Sequence, residues 1–151
     1  MILKARILVG LQFGLLGLLF LKPAGALLSD ASYLRSISGL LTFAAIAIFI
    51  AAYVALKPSL RISPIPKPGA ALIVKGIYKW FRHPMYLGVL FIGTGFLLNN
   101  LNIASVVIWV FLLINMTTKA RYEDDLLLIR HPEAIIYQSK TLGLFGKRTE
   151  K

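Results

Sequence analysis

Apolar residues in this chain fall into long charge-free runs, without the alternation that marks a half-buried strand. Ile7 to Leu21 is the first run, closed by Lys22-Pro23, and Ser36 to Leu56 is the second, closed by Lys57-Pro58. The third extends from Met85 to Thr118 without a charge. A spanning helix needs about 20 mostly apolar residues, so the first two runs each predict one crossing and the third predicts two short ones. Asn99-Asn100-Leu101-Asn102 interrupts that third run, and Asn-rich clusters favour turns. The expectation is an all-α integral membrane protein, a single domain over 1–151 with spans near 5–21, 36–56, 85–98 and 103–118. Spans 3 and 4 would form a tight helical hairpin. Span 3 is the shortest, and its apolar, aromatic approach allows a start near Tyr78.

Lys4 and Arg6, the first apolar run and Ala24-Gly25-Ala26 also match the layout of a cleavable signal peptide. The remaining runs are themselves multi-spanning and need no removable signal, so an uncleaved first span is expected.

Composition agrees with the pattern. The chain is 58% hydrophobic and only 15% charged, against about 25% charged in soluble domains. That excludes a disordered segment and an ordinary soluble enzyme. With no cysteine there is no disulfide scaffold, thiolate metal site or Cys nucleophile, and no metal is expected. The net charge of +11 would by itself suggest nucleic acid or an anionic membrane. Placing the charges changes this: fifteen of the seventeen bases fall in the N-terminal tail, the segment between spans 2 and 3, and the C-terminal tail, leaving Lys22 and Arg35 opposite. By the positive-inside rule both termini are cytoplasmic. Bases spread over three segments do not make a nucleic-acid face, so no nucleic-acid partner is expected.

The segment from Lys57 to Pro84 is the least membrane-like. Pro58, Pro64, Pro66 and Pro68 make its first half stiff and extended. Over Ala70–Phe81, Lys75 and Lys79 are four apart beside Tyr78, Trp80 and Phe81, which predicts an interfacial helix anchoring span 3. Next, Arg82, His83 and Tyr86 stand at the mouth of that span, where a charge is costly unless partnered. Beyond span 4 comes Arg121-Tyr122-Glu123-Asp124-Asp125, holding three of the six acids in the chain. A tight hairpin brings both clusters to one cytoplasmic surface, a setting suited to a small zwitterionic ligand. Gly88, Gly93 and Gly95 on span 3 and Gly10, Gly14 and Gly17 on span 1 predict close helix packing.

The run Gly76 to Gly88, Gly-x-Tyr-x-x-x-Arg-His-Pro-x-Tyr-x-Gly, followed after a hairpin by Glu123-Asp124, resembles the superfamily of isoprenylcysteine carboxyl methyltransferases and phospholipid methyltransferases. The resemblance covers roughly 64–137, and Ser63 to Ala70 is similar to bacterial members. It implies a bacterial or archaeal membrane enzyme using S-adenosylmethionine. Its cofactor-binding segments would be near 70–88 and 119–137, with Arg82, His83, Tyr86, Gly88, Glu123 and Asp124 as cofactor-binding residues and Arg121 beside the methyl acceptor as catalytic residue. The partners implied are membrane lipids and a lipophilic acceptor embedded among them. Tyr137 matches the first position of the family's Tyr-x-x-Tyr repeat, but Glu133-Ala134 and Lys140 depart from it, which leaves the tail beyond Leu126 doubtful as a substrate-contacting element. A second Arg-His-Pro, Arg130 to Pro132, lacks the following Tyr and carries no weight.

These residue types suit the cofactor. An Arg can grip its carboxylate bidentately, carboxylates can accept from ribose hydroxyls, and His and Tyr can bond to or stack on adenine. The sulfonium is an activated donor, so the protein supplies mainly proximity and orientation. A carboxylate acceptor needs no base, whereas an amine must first be neutral. O-methylation of an isoprenylcysteine-like acid is the closest match, with phospholipid amine N-methylation and small-thiol methylation as alternatives. A four-helix membrane assembly or structural protein is the non-enzymatic alternative.

Overall fold

The computed structural model describes residues 2–21, 32–56, 72–144 and 146. It is helical: α1 (Ile2–Phe20), α2 (Ser32–Leu56), α3 (Pro84–Asn99), α4 (Ile103–Arg130) and α5 (Ala134–Lys140), with a 3-10 turn at Gly76–Lys79. Three of these, over Leu3–Phe20, Ser32–Leu56 and Ile103–Arg130, are long and apolar enough to cross a membrane, and α3 is a shorter apolar helix. Lys22-Pro23, the small-residue triplet Ala24-Gly25-Ala26 and the proline-rich stretch through Pro68 lie outside the described residues.

The surface is that of a protein solvated by hydrocarbon. Leu3, Phe13 and Phe20 of α1, Leu40, Phe43 and Val54 of α2 and Ile103 and Phe111 of α4 are exposed, whereas Gln12, Ser38, Asn115 and Lys119 are buried. Apolar side chains facing outward and polar ones facing inward satisfy the bilayer, which offers no hydrogen bonds.

The helices pack through small residues and polar links. A Cβ on Gly93 would come 2.6 Å from Leu112 Cδ2, and one on Gly95 would come 3.3 Å from the Ser38 and Thr42 hydroxyls. Ser38 Oγ donates to Gly95 O at 3.0 Å and accepts from Asn99 Nδ2 at 2.8 Å, tying α2 to α3. On the other flank Asn115 Nδ2 of α4 donates to Leu8 O of α1 at 3.1 Å. Interhelical bonds of this type help to join helices in lipid. Gly10, Gly14 and Gly17 depart from expectation: nothing lies within 4 Å of a Cβ built on any of them, so α1 packs through Leu15, Leu16 and Leu19 instead.

The hairpin turn forms where the asparagines predict it. Asn100 caps the end of α3, and the Asn102 side chain accepts from Ser105 N at 2.8 Å to start α4, satisfying an amide that the helix itself cannot pair.

Two boundaries differ from the sequence pattern. The expected interfacial helix is a single 3-10 turn, because Lys75 is extended and Gly76 has φ +59°. That left-handed conformation stops a helix, and only glycine adopts it at little cost. Helix α3 begins at Pro84, not near Tyr78, since proline at the first helical position lacks the amide that would continue the helix backwards. Helix α4 runs unbroken from the expected fourth span to Arg130. Its 28 residues measure about 42 Å, longer than the roughly 30 Å hydrocarbon layer. The acidic cluster is thus held on a rigid helical extension.

Candidate active site

His83, at the N-terminus of α3, faces the acidic turn of α4. Its Nε2 donates to Asp124 Oδ1 at 2.9 Å, and its Nδ1 lies 3.4 Å from Glu123 Oε2. Both ring nitrogens can donate only when the imidazole is charged. Burial pushes the His83 pKa down, but hydrogen bonds to Asp124 and Glu123 outweigh it and raise it from 6.5 to about 9. The ring stacks on Tyr86, centroids 5.4 Å apart and planes within 6°. Because the folded value is raised, the stabilisation is complete below pH 6.5 and is lost as the pH climbs through about 9. Thermal unfolding in detergent should show the melting temperature falling over that interval, and the fall should be absent in His83→Asn.

Arg82 is buried beside it. Its Nη1 donates to Gln138 O at 2.5 Å and Thr141 O at 2.7 Å, and its Nε lies 3.4 Å from Asp124 Oδ2. That Nε makes no hydrogen bond. The expected bidentate grip on a ligand carboxylate is therefore largely occupied by the protein's own groups.

The tail beyond Leu126 folds back against this cluster. Gln138 Nε2 donates to Asp124 O at 3.0 Å, and the Tyr137 hydroxyl donates to Tyr78 O at 2.8 Å. Burial raises the Tyr137 pKa to about 12, so it stays a donor. Arg82 N bonds Leu142 O at 2.8 Å and Leu142 N bonds Trp80 O at 3.0 Å, laying the tail along 80–82. A Cβ on Gly143 would come 2.6 Å from Arg82 Nη2. The second Arg-His-Pro takes no part: His131 Nδ1 faces Glu133 at 3.1 Å.

Two cavities flank this cluster. A polar one of about 330 Å³ is lined by Arg82, His83, Arg121, Asp124, Asp125 and Gly143. An apolar one of about 310 Å³ is lined by Phe13, Leu16, Phe49, Tyr86 and, as its polar members, Gln12 and Lys119. Of the residues singled out in the sequence, Arg82, His83, Tyr86, Glu123 and Asp124 gather in one cluster. Arg121 is exposed and borders the polar cavity. Gly88 points elsewhere: its Cβ would meet the Phe49 ring at 3.0 Å. Lys119, counted above as an orientation charge, is only 1% exposed. Its signal was the position four residues before Glu123, together with Gln12 as the lone amide in the first apolar run. Gln138 and Gly143 had no signal in the sequence. Among the described residues no cluster of His, Cys, Asp or Glu could hold a metal ion.

No curated protein and no solved structure matches the chain. The model of the isoprenylcysteine carboxyl methyltransferase (ICMT) family matches residues 37–130. That stretch is more than half of the chain and contains α3, the Arg82-His83 corner and the acidic turn of α4 that they face, so the protein belongs to the isoprenylcysteine carboxyl methyltransferase family, as an integral membrane protein.

Proposed function

We propose that the chain is an S-adenosylmethionine-dependent methyltransferase acting on a lipophilic acceptor within the bilayer, an isoprenylcysteine-like carboxylate above all. The observation that carries this reading is the pairing of Arg82 and His83 with Glu123 and Asp124, with a polar cavity at His83 and an apolar one at the stacked Tyr86. The residues suit the cofactor. Glu123, half-exposed, offers carboxylate oxygens to ribose hydroxyls, and His83, which lines the polar cavity, offers its ring to adenine. Since Arg82 is held by Gln138, Thr141 and Asp124, we assign the cofactor carboxylate to Arg121, whose charge borders the same cavity.

The bound cofactor would supply an electrophilic methyl on a positively charged sulfur. The protein's share is binding, alignment and exclusion of water. Charged His83 and Arg82 fix the Asp124 carboxylate, and Gly143, Leu144 and Gly146 of the tail close the polar cavity. A carboxylate acceptor gives up no proton on methylation, in keeping with a His83 that is locked between two acids and positions them. In this reading the chain crosses the membrane four times, α3 as a short span, with both termini cytoplasmic.

Titration with S-adenosylmethionine in lipid nanodiscs tests the reading. Saturable binding is expected, weakened about tenfold or more in Glu123→Ala and Arg121→Ala, as for the loss of a charge-assisted hydrogen bond. No saturable binding by the wild type, or unchanged binding in both variants, overturns it. With methyl-labelled cofactor and host lipid extract, base-labile label identifies an ester product.

A further inference from the structure

The apolar cavity is built partly by α1, which lies outside the residues matched by the family. Phe13 and Leu16 of α1, Phe49 of α2 and Tyr86 of α3 line it, and Phe13, 55% exposed, puts its rim at the lipid-facing surface. Within this apolar lining stands a cation. Lys119 Nζ donates to Gln12 Oε1 at 2.5 Å and lies 4.8 Å from the centre of the Tyr86 ring. Among the described residues no carboxylate comes within 4.0 Å of it.

An ammonium has three donors, and a buried charge with no counter-ion in contact costs several kcal/mol; Glu123, one turn further along α4, attracts it only through space, its carboxylate lying against His83. One amide and one ring face satisfy only part of that demand. Joining α4 to α1 does not require the charge either, because Asn115, one turn earlier, already bonds Leu8 O. What the position lacks is an anion in contact, and the adjoining empty volume is apolar.

We infer that Lys119, presented by Gln12, selects the head group of the molecule that enters this cavity. It seats a carboxylate on a single lipophilic chain and rejects an amine, which would place a second cation against the first. The identification of that molecule as the methyl acceptor rests on the proposed function, whereas the seat itself does not. Residues of α1 that the family match leaves out thereby set which acceptor chemistry this chain takes.

The test uses three photoreactive C16 probes differing only in the head: carboxylate, methyl ester and primary amine. Each is presented to the whole protein in phosphatidylcholine nanodiscs, and labelled peptides are mapped. The carboxylate is expected to label 12–16 and 85–92 about tenfold more than the amine, matching the loss of one charge-assisted contact. Lys119→Met should erase the preference and Lys119→Arg should retain it. Gln12→Glu should also erase it by supplying a counter-ion in place, and, since it pairs the buried charge, it decides the question should Lys119→Met fail to fold. A carboxylate preference that survives in Gln12→Glu, or equal labelling by all three heads in the wild type, overturns the assignment. A parallel S-adenosylmethionine titration separates the two claims: its failure removes the proposed function and leaves the labelling result standing.

Discussion

Replacing Asp124 by Ala is expected to destabilise the protein by about 3–5 kcal/mol, the usual cost of removing one partner from a buried ion pair, and to abolish cofactor binding. Asp124 is the shared counter-ion of two buried cations: one carboxylate oxygen lies 2.9 Å from His83 Nε2 and the other 3.4 Å from Arg82 Nε. Truncation leaves both charges facing each other across a small void. Asp124→Asn keeps the shape but not the charge and should fall between Ala and wild type. Glu123 differs, because its side chain is 36% exposed, and an ion pair open to water contributes only about 0–1 kcal/mol. Glu123→Ala should therefore weaken cofactor binding while melting close to wild type. Thermal unfolding in detergent, paired with the nanodisc titration, distinguishes the two acids. An Asp124→Ala protein melting within about 1 kcal/mol of wild type would show that Asp124 does not neutralise Arg82 and His83.

Gly143→Val should be the second most damaging change and should act on binding more than on folding. A Cβ at this position meets Arg82 Nη2 at 2.6 Å and Gly146 O at 3.2 Å. Arg82 cannot withdraw easily, since its Nη1 is held by Gln138 O and Thr141 O. Either the guanidinium leaves those carbonyls or the tail lifts from 80–82, and both outcomes reshape the polar cavity. Overpacking of this kind costs about 1–3 kcal/mol, while the cofactor affinity should drop by about tenfold or more, the value of one misplaced charged donor. Wild-type affinity in Gly143→Val would mean that the tail is not a wall of the site.

The parts of this protein legible in its sequence are those controlled by local composition. The long charge-free runs marked the helices, because a backbone in hydrocarbon must satisfy its own hydrogen bonds and does so as helix. Asn99 to Asn102 marked the turn, where the Asn102 side chain caps the start of α4. The rarity of acids made Glu123 to Asp125 conspicuous, and a short hairpin can place them only at the end of the bundle where Arg82 and His83 lie.

Tertiary structure decided the rest. No periodicity indicates that the divergent tail folds back to hold Arg82, because those bonds run to backbone carbonyls at Gln138 and Thr141 that any residue could supply. Gly88 carries the family motif, yet its space is taken by Phe49 from another helix. Lys119 shows the same division most plainly. Its charge is visible in the sequence and fits a cytoplasmic count, but whether a lysine orients a helix or charges a cavity depends on what packs over it. Here Gln12, more than a hundred residues away, meets it inside the bundle. Local sequence thus settled which segments form apolar helices and where the polar clusters begin. Long-range packing settled which charges are buried, because burial depends on neighbours distant in the chain.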